Sequence, residues 1–352
     1  MNAIEENDVR REGEVRERTL YPLKFIPIFK QKVWGGTAIK EVLGLDYGEM
    51  KKCGEAWMLS GLEGEESVVA NGFLEGNTLV DLVEVYMGDL VGEDVYRRFG
   101  LQFPLLFKWI DATADLSVQV HPDDELAMER EGCLGKDEMW FVRQAEAGSC
   151  VVCGFKPGVN QMRYLKALKE DRIGDVLRQE EAFEGDVFHV PAGTVHALRA
   201  GILLAEIQQS SDITYRIYDW NRTGLDGKPR QLHVEQALKA LDFGDGPQGR
   251  KNGGEAGKTR YGRVLNTTNP MLDTPHFQVN YLPLNQGVEK DFTGMDSFVV
   301  YLCSAGGGVL KADGKAVEIR QGELVLVPAC CDIVDLFPDT CGMELLETYI
   351  AG

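Results

Sequence analysis

The chain has 352 residues, 44% of them hydrophobic, with 56 acidic against 37 basic side chains and a formal net charge of -19. That length accommodates two domains or one elaborate one with an ample core. The negative balance argues against a nucleic-acid partner, which needs a concentrated positive surface. No apolar run approaches the roughly 20 residues of a membrane helix, and the N-terminus lacks an apolar signal core, so no membrane partner and a cytoplasmic location are expected.

Residues 1–19 alternate acidic and basic side chains with few large apolar ones, and are predicted to form a charged N-terminal tail. From Leu20 to Ser60 short apolar runs broken by Pro and Gly predict strands and turns. Over 77–100 the apolar positions recur at three and four, which predicts a helical insertion, either one amphipathic helix or a helix pair. Pro104 to Asp111 resumes as a buried strand. In Leu116-Ser117-Val118-Gln119-Val120-His121 the pattern alternates, so a strand here aims Ser117, Gln119 and His121 to one face and the valines to the other. Asp123, Asp124 and Glu125 follow Pro122 and suit a helix cap or turn better than a metal.

Lys136 and Glu138 share a face of the next predicted strand. The CxxC of Cys150 and Cys153 lacks a second pair and reads as two buried structural cysteines, with the chain's eight thiols reduced. Met162 to Gln179 again has helical spacing, a second insertion at about 160–180. Gly185 to His196 supplies a third polar-faced strand, in which His189 is expected to be structural. Further strands are predicted at 202–209 and 214–220, and a short helix at 233–241.

Residues 246–262, rich in Gly, Lys and Asn, have a linker's composition. They divide a catalytic domain at 20–245 from a second domain at 263–352. Gly185-Asp-Val-Phe-His-Val-Pro191 has a counterpart in Gly322-Glu-Leu-Val-Leu-Val-Pro328, which suggests an internal repeat. The same offset puts Ile333 where His196 stands, so the second copy is expected to lack metal ligands.

Gln119, His121, Glu138 and His196 together form a candidate metal site. Two imidazoles, a carboxylate and an amide suit Zn and tolerate other divalent metals. Singly, each histidine would more often be a surface or satisfied core residue; on polar strand faces beside Gln119 and Glu138 a ligand role is the better reading.

Gly185, Pro191, Gly193 and His196 resemble the second motif of the cupin superfamily. With Gln119 in place of a frequent cupin His, the segments VQVHPDD, GKDEMW and YRIYDWNR look like type I phosphomannose isomerase in its short bacterial form, over residues 22 to 350. The resemblance implies a mainly β fold of two cupin-like jelly-roll β-barrel lobes with helical insertions. It also implies interconversion of mannose 6-phosphate and fructose 6-phosphate at one Zn2+, with Gln119, His121, Glu138 and His196 on the ligand positions. Lys108 and Ser117 fall on substrate-pocket positions, and Glu206 and Arg216 match the family's acidic and arginine pair.

A small phosphosugar is thus the expected partner. Aldose–ketose isomerisation passes through an enediol with negative charge on its oxygens. Arg216 is assigned as electrostatic stabiliser, Glu206 as an acid or base, and Lys136 as a proton donor or phosphate anchor. For Arg216 the plainer alternative is a structural ion pair, since Asp219 follows closely. Isomerisation of another phosphosugar, or carbohydrate sensing without catalysis, would use the same frame.

Overall fold

The computed structural model describes residues 19–244 and 256–350. The tail expected at 1–19, apart from Thr19, and 246–255 of the expected linker lie outside the described residues.

The protein is mainly β. One seven-stranded sheet runs in the order Gly257–Thr259, Val187–Val190, Glu138–Ala145, Ile202–Gln209, Leu105–Ala112, Glu55–Leu59, Ile28–Lys30. A five-stranded sheet faces it in the order Leu177–Glu181, Cys150–Phe155, His196–Leu198, Val118–Val120, Tyr215–Tyr218. Ile110, Trp140, Val142 and Leu204 of the first meet Val151, Cys153 and Leu198 of the second in one core. The site lies between these two sheets, its cavity lined by Ile110 and Trp140 of the first and His196 and Leu198 of the second.

Alternation along the strands decides what each face meets. Val118, Val120 and Ile217 turn away from the sandwich to pack under the helices Gln161–Lys169 and Val234–Ala240. Phe107, Trp109 and Ile207 of the larger sheet turn the other way. They join Val279, Phe298, Val300 and Leu346 of the second lobe in a common core, so the two lobes bury apolar surface against each other. Trp109 Nε1 also donates to the Gly322 carbonyl at 2.8 Å.

The first predicted insertion is a helix pair, Leu79–Val91 and Glu93–Phe99, broken at Gly92 (φ 98°). Thr78 and Asp81 form a capping box at its start. The second is shorter than its spacing predicts: the helix ends at Lys169, and Leu177–Glu181 is already an edge strand. Within the span read as linker, Gly257–Thr259 adds a strand beside Val187–Val190. The eight cysteines form no disulfide; Cys153 is buried in its strand as expected, whereas Cys150 at the start of the same strand is only half-buried. Asp123 caps Asp124–Glu131, accepting from the Leu126 amide at 2.9 Å.

The second lobe is ordered Asn269–Asp273, Gln278–Leu284, Ile333–Tyr349, Val299–Ala312, Lys315–Arg320, with Leu324–Val327 and Val288–Asp291 paired at the starts of the two long strands. The order 187–190, 138–145, 202–209, 105–112 recurs as 324–327, 299–312, 333–349, 278–284. Val190 faces Glu138 in the first lobe and Val327 faces Val299 in the second. Val299 thus stands where Glu138 does, and its side chain cannot bind a metal.

Register also matches Glu206, between Lys108 and Trp140, to Glu347, between Asn280 and Tyr301. Glu347 is enclosed: Tyr301 Oη donates to it at 2.9 Å, Asn280 Nδ2 at 3.0 Å and Lys290 Nζ at 3.1 Å. Removing one partner of a buried pair strands the others, at a cost of about 3–5 kcal/mol. Glu347→Ala should therefore destabilise the protein by about that much in denaturant unfolding, with metal content unchanged. A loss below about 1 kcal/mol would show that this network is not structural.

Candidate metal centre

Three strands and one loop bring the site together. Gln119 and His196 face each other directly across neighbouring strands of the smaller sheet. Glu138 comes from the larger sheet, paired with Val190 and Gln208. Gly193, at φ 86°, turns the chain between Pro191 and His196, and its amide donates to the His121 carbonyl at 2.9 Å, tying the two histidine segments together.

His121, Glu138 and His196 are fully buried, and one ligand atom of each lies within 4.8 Å of the others. His121 Nε2 is 3.6 Å from Glu138 Oε2 and His196 Nε2 is 3.4 Å from Oε1. Both Nδ1 atoms meet backbone carbonyls at 2.8 Å, His121 that of Ile213 and His196 that of Thr194. A carbonyl only accepts, so each proton sits on Nδ1 and each Nε2 keeps a lone pair turned into the cluster, that of His121 accepting from Lys136 Nζ at 3.1 Å. Gln119 stands fourth, its amide 3.2 Å from His196 Nε2; a half-turn of the amide exchanges its oxygen and nitrogen.

The electrostatics suit a cation. Burial, then Lys136 and His196, pushes His121 well below its ordinary pKa, and burial takes His196 down to about 4. Both imidazoles are neutral at physiological pH, as a metal ligand must be. Burial lifts Glu138 to about 8 against the pull of Lys136. The Lys136 ammonium is 3.0 Å from Oε2, yet neither carboxylate oxygen has a well-directed hydrogen bond. An under-satisfied buried carboxylate between two lone pairs is a donor set that a divalent metal completes.

A cavity of about 300 Å³ opens beside the cluster, lined by Ser117, Gln119, His196, Lys108, Lys136, Glu206 and Arg216, so the site residues expected from the sequence converge. Lys108 Nζ is 3.0 Å from Glu206 Oε2 and donates to Gln208 Oε1 at 2.7 Å. Burial alone would raise Glu206, but Lys108 and Lys136, with a hydrogen bond from Trp140 Nε1 at 3.0 Å, bring it down to about 2. Burial works against the charge on Lys136 too, and Glu138 and Glu206 outweigh it, keeping its pKa above the ordinary lysine value. Arg216 Nε donates to Ser117 Oγ at 3.3 Å and Nη1 to the Gln231 carbonyl at 3.0 Å. Asp219 is instead taken by Arg222 and Arg230, so among the described residues Arg216 has no carboxylate partner.

Sequence reasoning missed Lys32, Glu55, Asp212, Arg230 and His233, which also line the cavity. Glu55, at the start of the strand Glu55–Leu59, and Lys32, in the loop after Ile28–Lys30, pair at 3.0 Å far from the motifs in sequence, and no local spacing signals them. His189 is buried, 2.9 Å from Asp137 Oδ1, and is not among the three clustered residues.

Residues 22–147 match the family described as phosphomannose isomerase type I, catalytic domain. Mannose-6-phosphate isomerase of Streptococcus mutans is 34% identical over 311 residues, covering 86% of this chain and 92% of that one. The chain belongs to the type I phosphomannose isomerase family. Mannose-6-phosphate isomerase ManA of Bacillus subtilis is 37% identical over 237 residues, 65% of this chain and 71% of its own. The crystal structure of mannose 6-phosphate isomerase from Bacillus subtilis superposes with a TM-score of 0.82 at 29% identity, covering 94% of this chain and all of that one. No helix among the described residues is long and apolar enough to cross a membrane.

Proposed function

We propose that the protein interconverts mannose 6-phosphate and fructose 6-phosphate, with Zn2+ as the resident metal held by Gln119, His121, Glu138 and His196. Family membership supports the reaction, and the meeting of the metal cluster with a cation-lined cavity carries the assignment at this site. Two neutral imidazoles and one carboxylate leave a bound dication net positive, able to polarise sugar oxygens as a Lewis acid. A cytoplasmic location accords with this chemistry.

The chain's own groups divide the remaining work. Lys136, kept protonated by Glu138 and Glu206, is placed to donate a proton or a charge-assisted hydrogen bond, not to accept a proton. Glu206, ionised and tied to Lys108, acts as a fixed negative charge that orients both lysines. Asp212, on the cavity wall with no ion pair among the described residues, is the carboxylate left free to accept a proton. Arg216 offers an uncompensated guanidinium to the enediolate oxygens.

A coupled assay for fructose 6-phosphate from mannose 6-phosphate tests this reading. Turnover is expected, lost with a chelator and recovered when Zn2+ is restored. Absence of turnover in folded, metal-loaded protein would redirect the site to another phosphosugar or to sensing.

A further inference from the structure

The cavity wall carries positive charge that the metal cluster does not use. Arg230 lines the cavity with Arg216. Its Nε donates to Asp219 Oδ2 at 2.7 Å and its Nη2 to Oδ1 at 2.5 Å. Arg222 reaches the same carboxylate, Nη2 lying 2.9 Å from Oδ1. One buried carboxylate therefore answers two guanidiniums, and the trio keeps a net charge of about +1. Arg216 adds a second positive charge, in a chain whose formal total is -19.

These charges repel. Burial first, and then Arg230, draws Arg216 below its ordinary pKa. Guanidiniums turned to one cavity are relieved by an anion between them, and a phosphate monoester carries about -1.5 to -2 at neutral pH.

The backbone is built to hold this arrangement. Trp220 and Asn221 both have positive φ, 57° and 51°, in a turn closed by the Arg222 amide on the Asp219 carbonyl at 3.2 Å. A tryptophan there is costly and persists where its surroundings over-determine it. Trp220 Nε1 donates to the Leu116 carbonyl at 2.7 Å and Arg199 covers the ring at 4.6 Å. A bridge between Thr223 and Pro229 then returns the chain, bringing Arg230 to the cavity.

Direction follows from the strand that carries the ligands. His121, Gln119 and Ser117 share a face at steps of roughly 7 Å, and Arg216 bonds Ser117 at the end away from His121. A sugar with its reacting carbons at the cluster extends past Arg216 towards the arginines.

We propose that Arg230 is a specificity-determining residue that seats the substrate's phosphoryl group, and that Asp219 is the positioning residue that holds it there. This rests on the sugar-phosphate reading above. Arg216 serves the inner, reacting end and Arg230 the outer one.

The test compares wild-type holoenzyme with Arg230→Gln, Arg230→Lys and Asp219→Asn. It reads kcat and KM for mannose 6-phosphate, the calorimetric affinity for inorganic phosphate, and metal content. Arg230→Gln should raise KM and weaken phosphate binding about tenfold or more, the size of one lost charge-assisted hydrogen bond. The loss falls on KM more than on kcat, with metal retained. Arg230→Lys should recover part of it, and Asp219→Asn should show the same KM-weighted loss, smaller.

Phosphate affinity unchanged in Arg230→Gln, or a loss confined to kcat, overturns the seat. Wild-type enzyme that binds phosphate through Arg230 without turning over mannose 6-phosphate overturns the proposed reaction and leaves the seat standing. Should Arg230→Gln not fold, Arg230→Lys and Asp219→Asn decide by the same phosphate titration.

Discussion

Glu138→Gln is expected to lower turnover at least about 1,000-fold, together with loss of the bound metal. The substitution keeps the shape of the side chain, so the surrounding packing should survive it. What disappears is the only negative charge in the proposed ligand set, otherwise made of two neutral imidazoles and an amide. Lewis-acid stabilisation supplies several kcal/mol of a barrier, and each 1.36 kcal/mol is tenfold in rate.

Metal analysis after dialysis and the coupled assay give the two readouts. A second consequence concerns stability. A ligand that binds only the folded state at 1,000 times its dissociation constant stabilises by about 4.1 kcal/mol. Chelation should therefore lower the melting temperature of the wild type, and have little further effect on Glu138→Gln. If the variant keeps both metal and turnover, Glu138 is not a ligand.

Arg216→Ala should cost about 100-fold to 1,000-fold in kcat, the range seen when one donor to a developing oxyanion is removed. Metal content should stay at the wild-type level, because the guanidinium bonds Ser117 and the Gln231 carbonyl, and none of the three clustered ligands. The structural ion pair that the sequence left open is not formed: Asp219 belongs to Arg222 and Arg230. A guanidinium in the wall of a cavity, with no carboxylate partner among the described residues, is available to a substrate anion. Preserved turnover in Arg216→Ala would remove it from the mechanism. Lost turnover accompanied by lost metal would make it a support of the metal centre.

The ligand strands were legible because their signal is local. Ser117, Gln119 and His121 alternate with Val118 and Val120, and a strand turns that alternation into two faces whatever surrounds it. The Gly185 to Pro191 repeat was legible for the same reason, and Leu324–Val327 occupies in the second lobe the place of Val187–Val190 in the first. Where local pattern misled, a long-range partner had intervened. Residues 177–179 continue a helical spacing, yet Leu177–Glu181 pairs with Cys150–Phe155, whose edge was open. Gly257–Thr259 has a linker's composition and still completes a sheet.

The sequence by itself determined the β character, the helical insertion at 77–100 and the residues that could bind metal, since each depends on side-chain type and on spacing within one element. Tertiary structure decided the charges. Glu206 is a fixed anion because Lys108 lies across the neighbouring strand, 3.0 Å away. Glu347, at the matching place in the second lobe, is sealed by Tyr301, Asn280 and Lys290. Arg216 has no carboxylate partner among the described residues because Arg222 and Arg230 have taken Asp219. Coulomb energies and desolvation depend on distance and burial across the folded chain. Spacing along the sequence carries neither.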